Sequence, residues 1–323
     1  MTPPTTDAAP LPRRPLPLAA LALMRPKQWA KNVLLLAAIL FSNRFLDLAS
    51  WTQVGLAFAA FSLLSSTGYV FNDLRDADAD RQHPKKRTRP IASGEITPGV
   101  AWGLMALTLG AAIVLSWLVG VPFLVTALLY FATTIAYSTW LKHHVILDVM
   151  FLAACYLWRA VAGAVAISAR VSPWLLLCTA FLALFLGFNK RRGELLLLDG
   201  QKGTRKALDA YSPVMLQEFQ AITTSGTILS YALYTVLGSP TPWLLLTFPY
   251  VLYGIFRYIY LVDRHKEGAA PDETLLRDRP ILASGLLYAI TAVAVMLWAP
   301  HVSAHVEAVP VPVTAPANAV TAP

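Results

Sequence analysis

The chain has only two cysteines among 323 residues, and charged side chains make up just 14% of it. Cys155 and Cys178 both sit inside apolar runs, so they supply neither a disulfide framework nor a metal-binding spacing. The pair His143 and His144 has no cysteine or further histidine at ligand spacing and reads as a surface pair. Neither internal repeats nor helices broken at mid-membrane are visible, which argues against a transporter or lipid flippase. No soluble basic domain exists to carry the net charge of +8, so that charge is poor grounds for nucleic-acid binding.

What is present is apolar sequence. Hydrophobic residues are 56% of the chain, and long runs recur near the roughly 20 residues that cross a bilayer as a helix. Nine are read, at about 29–48, 53–71, 99–117, 121–138, 145–167, 173–189, 219–238, 243–262 and 281–299. The first is short, and the seventh is weakened by Ser and Thr. The expected class is an all-α polytopic membrane protein with its body over 19–299 and disordered tails at 1–18 and 300–323. "RRPLPLAALAL" resembles a twin-arginine export signal, but Pro15 and Pro17 interrupt it and no small-residue cleavage site follows.

The positive charge follows topology. Alternate connections (1–31, 72–98, 139–144, 189–215 and 263–280) hold five, six, one, six and four Lys or Arg. The opposite set holds Arg44 and Arg170, while Arg159 and Arg257 lie within spans. By the positive-inside rule the N-terminus and the charged loops face the cytoplasm, and the C-terminus lies outside.

Two charged helix ends stand out. In "FNDLRDADADRQHPKKRTRP", four aspartates fall within eight positions and five basic residues follow within nine. At about 100° per residue, Asp76, Asp80 and Asp73 fall about 40°, 80° and 100° from Asn72 on one quarter of a helix. Asp78 lies on the far side and reads as solvated. Three carboxylates sharing a face repel unless a cation sits between them, and hard oxygen ligands suit Mg²⁺. Lys85, Arg87 and Arg89 then alternate in an extended stretch, either anchoring the membrane surface or folding over the metal to hold phosphate. The second cluster, "FNKRRGELLLLDG", places Lys190, Arg191 and Glu194 on one quarter of a helix, with Arg192 turned away as an anchor.

The first motif, N-D-x-x-D-x-x-x-D, is identified as that of the UbiA-type superfamily of membrane prenyltransferases. The resemblance covers residues 25–299. It implies nine helices, with a second aspartate motif, D-x-x-x-D, after the sixth, so that Mg²⁺ is held on both sides of a prenyl diphosphate. Here Lys190 and Glu194 stand where those aspartates would be. That departure is similar to one branch, the decaprenyl-phosphate phosphoribosyltransferases, as are "MRPKQWAKN", "AYSTWLKHHVILD", "LWRAVAGA" and "LLRDRPIL".

The branch implies transfer of 5-phosphoribose from phosphoribosyl pyrophosphate to a polyprenyl phosphate, with Mg²⁺, in the bacterial plasma membrane and with the active site on the cytoplasmic side. The product is a lipid-linked precursor for cell-wall arabinan. The rival is ordinary prenyl transfer to an aromatic or other acceptor. Catalytic roles are expected for Asp73, Asp76, Asp80, Lys190 and Glu194, the three aspartates holding the metal. Substrate binding is expected for Asn72, Lys27, Gln28, Lys31, Lys85, Arg87, Arg89, Tyr137, Lys142, Arg159 and Arg191. For Lys27, Lys31, Tyr137 and Lys142, membrane anchoring competes with phosphate contact. Asp148 and Arg159 share a face of one span and read as a polar cavity wall. Arg277 and Arg279 chiefly anchor the last span. "LLLLDGQKGT" resembles a phosphoribosyl-pyrophosphate loop, but follows a helix rather than a strand. Assembly into a homo-oligomer stays open.

Overall fold

The computed structural model describes residues 14–42, 44–82, 86–198, 206–265, 268 and 270–306, and among these all regular structure is helical. The chain runs α1 (Leu16–Met24), a 3-10 segment (Pro26–Leu36), α2 (Ala37–Phe41), α3 (Leu48–Arg75), α4 (Ala77–Gln82), α5 (Pro98–Val119) and α6 (Val121–Thr139). It continues through α7 (Leu147–Ala166), α8 (Pro173–Leu198), α9 (Lys206–Asp209), α10 (Pro213–Leu233), α11 (Phe248–His265), α12 (Pro271–Arg277) and α13 (Arg279–Val306). Helix α1 thus begins inside the stretch expected as a tail, while 1–13 and 307–323 lie outside the described residues.

Proline, which lacks an N–H that a first turn would leave unpaired, opens many of these helices. It sits at the first or second position of α5, α6, α10 and α12. Thr97 and Ser212 cap α5 and α10, accepting from the amides of Val100 and Met215. Asp47 caps α3 by accepting from the amides of Ala49 and Ser50. The Ser50 hydroxyl, aided by those amides, holds the Asp47 carboxyl below its ordinary pKa.

Seven segments are long and apolar enough to cross a membrane: α3, α5, α6, α7, α8, the run Pro242–Arg264 that takes in nearly all of α11, and α13. Of the nine expected spans, seven meet both the length and the apolarity of a membrane-crossing helix among the described residues, and the first and seventh do not. The first expected span is a 3-10 segment followed by the short α2. Lys27, Gln28, Lys31 and Asn32 give it a polar face, with Asn32 donating to Ser62 Oγ at 3.1 Å and Trp29 to Ser66 Oγ at 3.0 Å. At about 2.0 Å per residue in a 3-10 helix and 1.5 Å in an α-helix, Pro26–Phe41 still reaches about 30 Å. The seventh expected span, α10 and the π-turn Tyr234–Gly238, is long enough but too polar. Three of its hydroxyls are met internally, with Thr223 donating to Phe219 O at 2.7 Å, Thr227 to Thr223 O at 2.7 Å and Ser230 to Gly226 O at 2.6 Å, while the buried Thr224 hydroxyl has no hydrogen-bond partner among the described residues.

Helix α3 packs along α5, α6 against α7, α7 against α8, α8 along α10, and α11 against α13. One half of the core centres on Phe61, Phe123 and Tyr130, whose rings meet at 5.7 and 4.8 Å between centroids. The other half gathers Tyr231, Tyr234, Phe248 and Tyr288. Outward faces stay apolar, as Trp102, Leu107, Val114 and Trp117 of α5 show, which suits lipid contact. Within the first half the 3-10 segment passes so close to α7 that a Cβ at Gly163 would lie 2.9 Å from the Leu35 Cα.

Candidate active site

A cavity of about 850 Å³ opens where α3, α6 and α8 end and α7 begins. The backbone keeps the first motif on one face through the junction of α3 and α4: Asp76 N–H donates to Asn72 O at 2.9 Å and Asp80 N–H to Asp76 O at 2.8 Å. Asn72 and Asp76 line the cavity. Asp73 and Asp80 are buried behind them, while the side chain of Asp78 is 91% exposed.

Each aspartate meets cations. Arg25 Nη2 donates to Asp73 Oδ1 at 2.6 Å, and Arg89 Nη1 reaches Asp73 Oδ1 at 3.1 Å and Asp80 Oδ2 at 2.6 Å. Lys142 Nζ donates to both oxygens of Asp76 at 2.9 Å. Asp73 Oδ2 is buried with no hydrogen-bond partner, an acceptor left open to a cation. Among the described residues no three His, Cys, Asp or Glu side chains converge to hold a metal by themselves. Mg²⁺ needs only one or two carboxylates and completes its shell with water and phosphate oxygens, so this all-oxygen set fits it.

The second cluster faces the first. Lys190 and Glu194 line the cavity; Arg191 lies behind them, donating to Asp148 Oδ2 and Glu194 Oε2, both at 2.6 Å. Arg192 ties α8 to α10 and α11 through Gln220 and Asp263. Asp148 corrects the expectation of a cavity wall. It is buried beside Arg191, and Tyr211 Oη donates to its Oδ1 at 2.8 Å. Burial, then the Asp148 carboxylate, pushes the Tyr211 phenol above its ordinary pKa.

Arg159 does reach the cavity, on the part of its wall formed by the middle of α7. It is buried, donating to Asn32 Oδ1 at 2.8 Å, Cys155 O at 2.8 Å and Tyr130 Oη at 2.9 Å. Gln28, Lys31, Arg89, Tyr137 and Lys142 line the cavity as well. Lys27 and Arg87 are exposed and do not reach its wall. Lys85 and the loop 199–204 lie outside the described residues. Arg277 pairs with Glu273 at 3.6 Å on the surface, and Arg279, His143 and His144 are exposed.

Sequence reasoning missed Arg25, Tyr69 and Tyr130. Arg25 has a left-handed backbone (φ 54°) at the end of α1, and its guanidinium lies 4.8 Å from the Tyr69 ring centroid. Tyr69 stands one turn before Asn72, a spacing that could have found it. Nothing local marks Tyr130, which the cavity acquires only when α6 packs on α7.

Among the described residues the cavity wall carries seven cations (Arg25, Lys31, Lys86, Arg89, Lys142, Arg159 and Lys190) against three carboxylates (Asp76, Glu194 and Glu273). Leu152, Ala183 and Leu186 make an apolar stretch of the same wall. Such a surface suits an anionic ligand with an apolar part.

The chain is 35% identical over 279 residues to the decaprenyl-phosphate phosphoribosyltransferase of Corynebacterium glutamicum, covering 82% of each. It is 33% identical over 283 residues to the protein of that name from Mycobacterium tuberculosis, covering 85% of this chain and 93% of that one. A UbiA homolog from Archaeoglobus fulgidus, solved bound to GPP and Mg²⁺, superposes with a TM-score of 0.65 at 19% identity, covering 88% of this chain and 99% of that one. The model of the UbiA prenyltransferase family matches residues 32–276, and the chain belongs to that family.

Proposed function

We propose that the protein transfers 5-phosphoribose from phosphoribosyl pyrophosphate to a polyprenyl (decaprenyl) phosphate, releasing pyrophosphate. The observation that carries this reading is Lys190 on the cavity wall, where a second metal-binding carboxylate would serve an ordinary prenyl diphosphate site. A lysine there meets phosphate directly. The names of the relatives from C. glutamicum and M. tuberculosis support the same transferred group and acceptor.

In this reading one oxygen of the acceptor phosphate bonds to the anomeric carbon, and the bond from that carbon to pyrophosphate breaks, the pair leaving with pyrophosphate. The acceptor is already anionic, so no general base is required. Lys190, Lys142 and Arg89 hold phosphate oxygens and stabilise the departing charge from fixed positions. Asp76 and Glu194, the carboxylates on facing walls, favour positive charge developing on the sugar ring. Asp73, Asp76 and Asp80 would hold Mg²⁺, which when bound neutralises pyrophosphate charge, and Asn72 would contact the substrates. Gln28, Lys31, Tyr137 and Arg159 would contact the substrates. Lys27, Arg87 and Arg191 then serve as anchors or supports.

The site would lie on the cytoplasmic side of a bacterial plasma membrane, since the cavity opens among the connections rich in Lys and Arg. One catalytic domain, 19–299, would sit between two tails, and the product would feed cell-wall arabinan. The test is incubation of purified protein with Mg²⁺, labelled phosphoribosyl pyrophosphate and a polyprenyl phosphate. Label should enter the lipid phase; label entering only from a labelled prenyl diphosphate would establish prenyl transfer instead.

A further inference from the structure

The side chains of Arg191 and Asp148 are each only 1% exposed, yet they bind one another at 2.6 Å and extend in two directions. Toward the cavity, Arg191 Nη1 grips Glu194 Oε2 at 2.6 Å, and Glu194 is 24% exposed on the cavity wall. Away from it, Asp148 accepts from Tyr211 Oη at 2.8 Å, and the same hydroxyl accepts from Ile146 N–H at 2.7 Å. Ile146 has φ 70° and ψ −50°, the strained centre of a γ-turn closed by Leu147 N–H to Val145 O at 2.8 Å and costly for a β-branched residue, at the residue before α7 begins. Three elements, the start of α7, the end of α8 and the connection before α10, thus converge through hydrogen bonds on one carboxylate.

Stability alone explains this poorly. A buried ion pair often gains nothing over packed apolar groups, and Arg191 Nη2 remains buried without a hydrogen-bond partner. The arrangement does fix a direction. Asp148 balances Arg191, so Glu194 presents its negative charge to a cavity otherwise dominated by cations. Asp76, on the facing wall, is held by Lys142 at both oxygens. Glu194 is therefore the carboxylate set to accept hydrogen bonds from hydroxyl groups.

We propose that Asp148 and Tyr211 are positioning residues that act through Arg191 to fix Glu194 as the acceptor for the donor's ribose hydroxyls. This inference rests on the proposed phosphoribosyl transfer.

The test is a double-mutant cycle on the full-length enzyme in detergent, reading kcat and KM with labelled phosphoribosyl pyrophosphate and polyprenyl phosphate. Glu194→Gln and Tyr211→Phe should each lower kcat/KM by roughly tenfold. Together they should fall no more than about twofold below Glu194→Gln alone, because both remove the same alignment. Effects that multiply to roughly a hundredfold overturn the relay, and so does a Tyr211→Phe enzyme with parent kinetics. Asp148→Asn leaves Arg191 under-compensated in the interior and can fail to fold. Tyr211→Phe, which deletes one oxygen and keeps the ring, is therefore the deciding variant. A parent enzyme that ignores phosphoribosyl pyrophosphate but uses a prenyl diphosphate overturns the proposed function, and the same cycle on that donor then decides the relay. A parent inactive on both donors overturns both.

Discussion

Asp76 and Asp78 are two positions apart and opposite in circumstance. Asp76 lines the cavity and meets Lys142, whereas Asp78 is 91% exposed beside Arg81. Asp76→Asn should lower kcat/KM by about a hundredfold or more, the scale of losing one preorganised group at a reacting centre. Asp78→Asn should leave it within about twofold, as an exposed ion pair contributes little. Steady-state kinetics on both variants checks this, and equal losses would mean that the face assignment is wrong. Lys190 separates the two chemistries at the same scale. One charge-assisted contact to phosphate is about 1.5–3 kcal/mol, so Lys190→Ala should weaken use of phosphoribosyl pyrophosphate roughly tenfold to a hundredfold. Lys190→Asp should be worse, because it sets an anion against phosphate. Unchanged donor affinity in Lys190→Ala would remove the phosphoribosyl reading.

At the scale of elements, the 3-10 segment and α7 form the tightest joint near the cavity. Gly163 faces the Leu35 backbone, which has no rotamer with which to move aside. Gly163→Ala should therefore destabilise the protein by about 1–3 kcal/mol, the range for overpacking. It should also reduce activity, since Gln28 and Lys31 ride on the displaced segment. Gly103, inside α5, has open space where a methyl would stand, so Gly103→Ala should be neutral or stabilise by up to about 1 kcal/mol. Thermal unfolding in detergent distinguishes the pair: a lowered midpoint for Gly163→Ala alone is expected, and equal shifts would refute the joint.

For the whole molecule, charge and cavity point to the same end. The basic connections 72–98, 139–144 and 189–215 supply Lys86, Arg89, Lys142 and Lys190 to the cavity wall. A reporter active only outside the cytoplasm should be active when fused at residue 310 and silent when fused near residue 85 or 200. Activity at residue 200 would invert the proposed topology and move the site to the other face.

The sequence by itself determined the class and the chemistry of the walls. Apolar runs of spanning length admit few structures other than helices in lipid, because every backbone polar group must be met internally. Helical spacing placed Asn72 with Asp76 and Lys190 with Glu194, since neighbours three or four residues apart share a face in any helix. Partners distant in the chain were decided only by the tertiary structure. Arg25 and Asp73 are 48 residues apart, Lys142 and Asp76 are 66, and Arg159 and Asn32 are 127. Helical spacing separated Arg191 from Arg192, but it could not show that Arg191 meets Asp148 or that Arg192 reaches Asp263, because those partners lie on other helices. Nor could it show that the first span would wind as a 3-10 segment, a choice set by the close approach of Gly163 and the hydrogen bonds from Trp29 and Asn32 to α3. Local periodicity dictates which face a residue occupies; packing between helices decides what that face meets.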